Sequence, residues 1–194
     1  VALDDQVLAT AMMLCLADKI ETKQGDPRLD ITDLSNRKKV ISYGNRLFCD
    51  EEKENDIEYL VHRWGSSKLY RGYFLDYQQF LKRPNTVAKK YSREKNKNDI
   101  VIIHCDISKF YDKVSPKLLF TKTCEFIKDP YFKQLFKKLF HWNWEKNDWS
   151  RKYFNNNQCE VISLPQGLVA SGFFANIVLL DFDNYVKNKF TEQS

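Results

Sequence analysis

Apolar residues crowd the first part of the chain, where Val7, Leu8, Ala9, Ala11, Met12, Met13, Leu14, Leu16 and Ala17 follow one another with little polar interruption. The spacing predicts a helix over residues 3–20, buried on most of its surface. Asp4 or Asp5 can start it, and Gly25-Asp26-Pro27 marks the loop behind it. Residues 39–48 read as extended structure broken at Gly44-Asn45, a dipeptide that tolerates positive φ and so predicts a tight hairpin or bulge. Residues 56–64 read as a short helix closed by Gly65-Ser66-Ser67. In residues 71–81, Tyr73, Phe74, Tyr77 and Phe80 recur at helical spacing, a stripe that belongs to a core. Pro84 ends or kinks that helix, and residues 86–97 resume as a basic helix or loop.

The second half alternates clearer signals. Residues 101–105, Val-Ile-Ile-His-Cys, are too few for a helix and rich in β-branched side chains, so they read as a buried strand. Asp106 then falls where that strand ends, a place that suits a carboxylate only if it is hydrated, paired or holding a cation. Ser115-Pro116 and Asp129-Pro130 each look like an N-cap followed by proline at the first helical position. They open helices to residue 126 and over residues 131–140. Residues 141–149 are aromatic and polar without a period, and His141 is taken as structural. Asn155-Asn156-Asn157 is a turn, and residues 158–162 are strand-like. Beyond Pro165 and Gly167 a long helix is predicted over residues 168–189. Ala170, Ser171, Gly172 and Ala175 near its start leave room for something bulky, such as a base pair.

Composition narrows this picture. With 194 residues, 43% hydrophobic and 29% charged, the chain suits one large domain or two small lobes with a real core. No apolar run reaches membrane-span length, and acidic Asp4 and Asp5 argue against a secretory leader. The five cysteines are scattered with no CxxC pair, which argues against zinc and fits reduced thiols in a cytoplasmic protein. The start at Val1 and the end at Ser194 suggest a piece of something longer. Net charge is +5, unevenly spread. Residues 1–60 carry 8 basic and 13 acidic side chains, whereas residues 81–98 carry 7 basic ones against Glu94 alone. That block, with Lys89, Lys90 and Arg93 at its centre, suits a polyanion such as nucleic acid. Arg46 follows the Gly44-Asn45 turn. It can pair with an acid of the 50–58 cluster or grip a phosphate.

Two segments together resemble a known family. Asp106-Ile107-Ser108-Lys109-Phe110-Tyr111-Asp112 is similar to the first palm motif of reverse transcriptases. Leu164-Pro165-Gln166-Gly167, with Ser171 and Ala175-Asn176-Ile177 behind it, is similar to the second. Residues 43–47, Tyr-Gly-Asn-Arg-Leu, further resemble the bacterial retron-like and phage-defence members, which would imply a role in antiviral defence.

The resemblance implies an α+β, right-hand polymerase-like fragment: helix-rich fingers over residues 1–98 and a partial palm with an antiparallel sheet over residues 99–194. It implies an RNA-directed DNA polymerase that adds deoxynucleoside triphosphates to a 3′-hydroxyl on an RNA or DNA template-primer, with two Mg²⁺ (or Mn²⁺). Asp106 would be a metal-binding carboxylate and Ile107 would contribute its backbone. Tyr111 would be the gate against a 2′-hydroxyl, Gln166 and Gly167 would line the wall beside template and incoming base, and Arg46 would hold the triphosphate. Asp112 reads instead as a structural acid capping a turn. The alternatives are a template-independent or catalytically lapsed nucleic-acid-binding relative, or an RNA-dependent RNA polymerase.

The family's third palm motif, with two adjacent aspartates, has no counterpart after the second motif here. Asp181-Phe182-Asp183 is no substitute. The strand at residues 101–105 would then leave an open edge able to pair with another copy. These 194 residues by themselves are expected to be inactive, and nucleotide addition by them to a primed template with Mg²⁺ would contradict that.

Overall fold

The computed structural model describes residues 1–30, 32–36, 39–93, 99–142 and 164–191. The expected turn at residues 155–157 and strand at 158–162 lie outside them. The described chain forms two interleaved compact units. One comprises Val1–Leu16 with Ile107–Val178, the other Ala17–Asp106 with Leu179–Ser194.

Helix α1 (Leu3–Gln24) contributes to both. Its buried side is a single stripe, Ala9, Met12, Met13, Leu16, Ala17 and Ile20, each at most 1% exposed. Val7 and Cys15 face solvent, so the helix is amphipathic rather than buried all round. It stops at Gly25, whose φ of +78° makes the left-handed C-terminal turn. A Cβ there would fall 1.6 Å from the Lys39 carbonyl oxygen, so only glycine fits.

The second unit is built around a buried ion pair. Arg46 Nε donates to Glu21 Oε2 at 2.7 Å, and its two terminal nitrogens donate to the carbonyls of Ser42 (2.6 Å), Glu21 (3.3 Å) and Gly25 (2.5 Å). Glu21 Oε1 accepts the Leu47 N–H at 3.0 Å. Burial pushes the Glu21 carboxyl up, opposed by the Arg46 charge and the Leu47 N–H. The pair fixes the chain after the Gly44-Asn45 turn, where Asn45 has φ 50° as expected. The residues that follow lie against 69–71: Leu47 bridges Tyr70, Phe48 N–H donates to the Leu69 carbonyl, and Arg71 N–H to the Arg46 carbonyl.

A two-stranded antiparallel sheet comes next, β1 (Cys49–Glu54) and β2 (Ile57–His62). This corrects the helix expected over residues 56–64. Asn55 and Asp56 both have positive φ, 49° and 64°, the two-residue hairpin turn whose twist matches its strands. The free edge of β2 is paired by α1: Thr22 Oγ1 bonds both the N–H and the carbonyl of Leu60, and Asp18 Oδ1 accepts the His62 N–H.

The expected strand at residues 101–105 is not formed. Val101 and Ile103 are each 79% exposed, and no described residue supplies a ladder for this segment. β-branched side chains favour a strand, yet a strand exists only through its partner. The antiparallel sheet of the protein as described is therefore β1–β2, within residues 1–98.

Helix α2 (Tyr73–Arg93) does not end at Pro84 but continues past it. Pro84 removes the N–H that would bond the Phe80 carbonyl; just beyond it, Asn85 Nδ2 donates to the Leu81 carbonyl and Thr86 Oγ1 to the Lys82 carbonyl. Its inner face carries Asp76, clamped by Arg71, and Arg83, which donates to the Val40 carbonyl. The aromatic stripe is not core. Tyr73, Phe74, Tyr77 and Phe80 are 71%, 67%, 41% and 45% exposed, and the rings of Tyr73, Tyr77 and Phe80 stack on one another at 5.4 and 6.3 Å. Helical spacing gathers side chains on one face without deciding which face is covered.

The first unit holds α3 (Phe110–Lys113), α4 (Pro116–Cys124), α5 (Pro130–Leu139) and the start of α6 (Ser171–Thr191). Both expected caps are present: Ser115 accepts from Leu118 N–H and Asp129 from Phe132 N–H, each with proline at the next position. The core is aromatic, with Phe136 and Phe140 packed edge-on to Phe174 at 5.8 and 5.2 Å.

Replacing Arg46 by Met leaves Glu21 buried without its partner. The expected cost is about 3–5 kcal/mol, read as a lowered urea midpoint with an unchanged slope. An unchanged midpoint would show that the pair does not hold this unit together.

Candidate functional site

The first motif leaves the extended segment at Asp106 and turns through Lys109, whose φ of 53° is left-handed. Lys109 donates nothing from its side chain as an N-cap. Its carbonyl accepts the N–H groups of Asp112 and Lys113, closing the single turn of α3. Phe110 and Tyr111 meet edge to face at 5.9 Å, and Tyr111 is half-buried. Asp106 is exposed, and its carboxylate makes no hydrogen bond or ion pair among the described residues. Ile107 is 53% exposed. Asp112 is exposed too and caps nothing among the described residues, contrary to the turn-capping role expected of it.

The second motif forms a turn over residues 165–168, with the Leu168 N–H donating to the Pro165 carbonyl at 3.1 Å. Gln166 and Gly167 occupy its exposed tip, while Leu164 and Leu168 on either side are buried. The turn is tied at several points. Leu164 N–H donates to the Tyr111 carbonyl at 3.1 Å, which joins the second motif to residues 107–112 of the first within one unit. Ser171 Oγ donates to the Pro165 carbonyl at 2.6 Å. Gln6 of α1 holds the far side: Nε2 donates to the Gly167 carbonyl at 2.6 Å and Oε1 accepts the Val169 N–H at 3.0 Å. Nothing in the sequence pattern singled out Gln6, the last of three polar residues before the apolar run that starts at Val7. Its signal is that position alone.

Other expected residues fall elsewhere. Arg46 is 1% exposed with its guanidinium spent on Glu21 and three carbonyls, so it is a structural anchor and not a triphosphate grip. Its acid is Glu21 rather than one from residues 50–58. Ala170, Ser171 and Ala175 are at most 4% exposed beside fully buried Phe173 and Phe174, so these three serve protein packing rather than a base pair, while Gly172 is half-buried. Lys89 and Lys90 are exposed near the end of α2, while nothing is described of the Arg93 side chain. Asp181 and Asp183 lie inside α6, where two residues turn through about 200°. They point to different sides and cannot chelate one ion together. Burial pushes the Asp183 carboxyl up to about 6. Among the described residues no three His, Cys, Asp or Glu side chains gather as a metal cluster.

Residues 66–194 match the family described as reverse transcriptase (RNA-dependent DNA polymerase). The chain belongs to this family. It is also similar to the putative COX1/OXI3 intron 2 protein of Saccharomyces cerevisiae, with 33% identity over 92 residues, 47% of this chain and 10% of that protein. The chain thus spans about a tenth of that relative's length. No solved structure matches it.

Gly167 has no positive φ, and a Cβ there would meet only Val1 Cγ2 at 3.8 Å, an ordinary contact. The fold therefore does not require this glycine. Gly167→Ala is expected to shift the thermal midpoint by less than about 2 °C. A larger drop would assign the glycine to folding rather than to the turn's exposed surface.

Proposed function

We propose that the whole protein is an RNA-directed DNA polymerase, with residues 1–98 in its fingers and residues 99–194 in part of its palm. The observation that carries this is the hydrogen bond from Leu164 N–H to the Tyr111 carbonyl. In a chain of this family it holds together the two segments that resemble the first and second palm motifs.

Asp106 presents a carboxylate with no competing partner among the described residues, and Ile107 offers an adjacent main-chain oxygen. Both are hard donors of the kind Mg²⁺ takes, with Mn²⁺ a chemically similar substitute. They fit as part of a coordination shell. Bound there, the metal would neutralise triphosphate charge and make the 3′-hydroxyl a better nucleophile.

Tyr111, fixed through its own carbonyl, sets a ring where a 2′-hydroxyl would clash, which favours deoxynucleotides. The exposed Gln166 and Gly167 line the wall beside template and incoming base. Lys89, Lys90 and Arg93 give the template-primer backbone its counter-charge. Arg46 takes no part. The sequence of residues 43–47 supports the bacterial retron-like or phage-defence branch, with an antiviral role in the cytoplasm. No described helix is long and apolar enough to cross a membrane.

The test is primer extension on an RNA template by the intact protein. Asp106→Ala is expected to lower incorporation by at least about 10²–10³-fold while leaving the thermal midpoint in place. Unchanged incorporation would remove Asp106 from the mechanism.

A further inference from the structure

The Pro165–Leu168 turn exposes Gln166 and Gly167, so whatever they touch is positioned by the turn's main chain. Several side-chain and main-chain ties hold that chain. Two lie at its entrance: Leu164 N–H on the Tyr111 carbonyl and Ser171 Oγ on the Pro165 carbonyl. Beyond the tip, the described side chain that bonds to the Gly167 carbonyl and the Val169 N–H is Gln6, from an element more than 160 residues away in sequence.

Its geometry is specific. A residue of a parallel strand takes its neighbour's carbonyl on one side and the N–H two residues further on the other. The Gln6 carboxamide does the same with Gly167 and Val169, straddling Leu168, whose side chain is 3% exposed. Both halves of the amide are used, so neither Glu nor an aliphatic residue reproduces the clamp. The first turns of α1, in turn, are seated by Ala9, Met12 and Met13, each at most 1% exposed. The tip is thereby referenced to a packed helix rather than to its own flexible residues.

We propose that Gln6 is a positioning residue for nucleotide selection, acting through Gln166 and Gly167. This rests on the reading that the turn lines the wall beside template and incoming base. Gln6 itself touches neither substrate nor metal in this account. Losing the clamp lets the tip shift without unfolding the unit, because the Leu164 and Ser171 ties and the buried Leu168 remain. The consequence falls on how well the incoming nucleotide is bound and matched, and not on metal use.

The experiment compares the intact protein with Gln6→Met, which keeps the length and loses both bonds, and Gln6→Glu, which keeps only the acceptor. Amide hydrogen exchange reads the clamp without catalysis: the Val169 N–H is expected to exchange about tenfold faster in Gln6→Met and close to the parent rate in Gln6→Glu. Steady-state incorporation is expected to show KM for the correct deoxynucleotide raised about tenfold in Gln6→Met, with more misincorporation. The Mg²⁺ dependence and thermal midpoint stay near the parent values. Unchanged exchange at Val169 overturns the clamp. Faster exchange with unchanged KM and fidelity overturns the positioning role, as does a loss of activity that merely follows a falling thermal midpoint. A parent protein that incorporates no nucleotide overturns the polymerase reading itself, and this role with it, before any Gln6 variant is compared.

Discussion

A main chain that leaves regular structure still has to pair its polar groups, and in this protein side chains of α1 meet that requirement repeatedly. Thr22 and Asp18 pair the free edge of β2, and Glu21 takes the Leu47 N–H. Glu21 also holds the Arg46 guanidinium, which closes on the carbonyls of Ser42 and Gly25. At the other end of the same helix, Gln6 pairs the main chain beyond the Gln166-Gly167 tip. The helix thus does more than bury an apolar stripe. Its polar positions fix the course of a hairpin, a turn and the loop of the second motif, which explains why Glu21 is buried in line with Ile20.

What could be read in the sequence follows from how local the cause is. Ser115 and Asp129 cap the main chain three residues on with their side chains and Gly25 acts through its own φ, so the helix boundaries they set were visible residue by residue. The hairpin was not. Its first strand, Cys-Asp-Glu-Glu-Lys-Glu, has no apolar alternation, since only Cys49 is buried. The usable signal was the Asn55-Asp56 pair, which accepts the left-handed conformation at both positions. Residues 101–105 erred in the opposite sense. Their composition suits a strand, but pairing is a long-range event that composition does not contain. The stripe on α2 failed for a related reason: spacing placed Tyr73, Tyr77 and Phe80 together, and their ring partners are one another and, for Phe80, His104 rather than a core.

The candidate site was legible as two motifs and illegible as an arrangement. Residue types at 106–112 and 164–167 identified the family, whose match covers residues 66–194. The connection between them, through Leu164 and Tyr111, uses main-chain atoms and leaves no trace in side-chain identity. Arg46 shows the converse. An arginine after a tight turn suits phosphate chemistry, yet a complete set of buried acceptors claimed it first. Gln6 was invisible because its role depends on a loop more than 160 residues away.

On the proposed function, Tyr111 and the turn carrying Gln166 act on one incoming nucleotide. A double-mutant cycle of Tyr111→Ala and Gln166→Ala, read as kcat/KM for deoxynucleotide incorporation by the intact protein, tests it directly. A coupling energy of at least about 0.5 kcal/mol is expected, as for residues that share a ligand. Strictly additive effects, or no effect of either substitution, would contradict it.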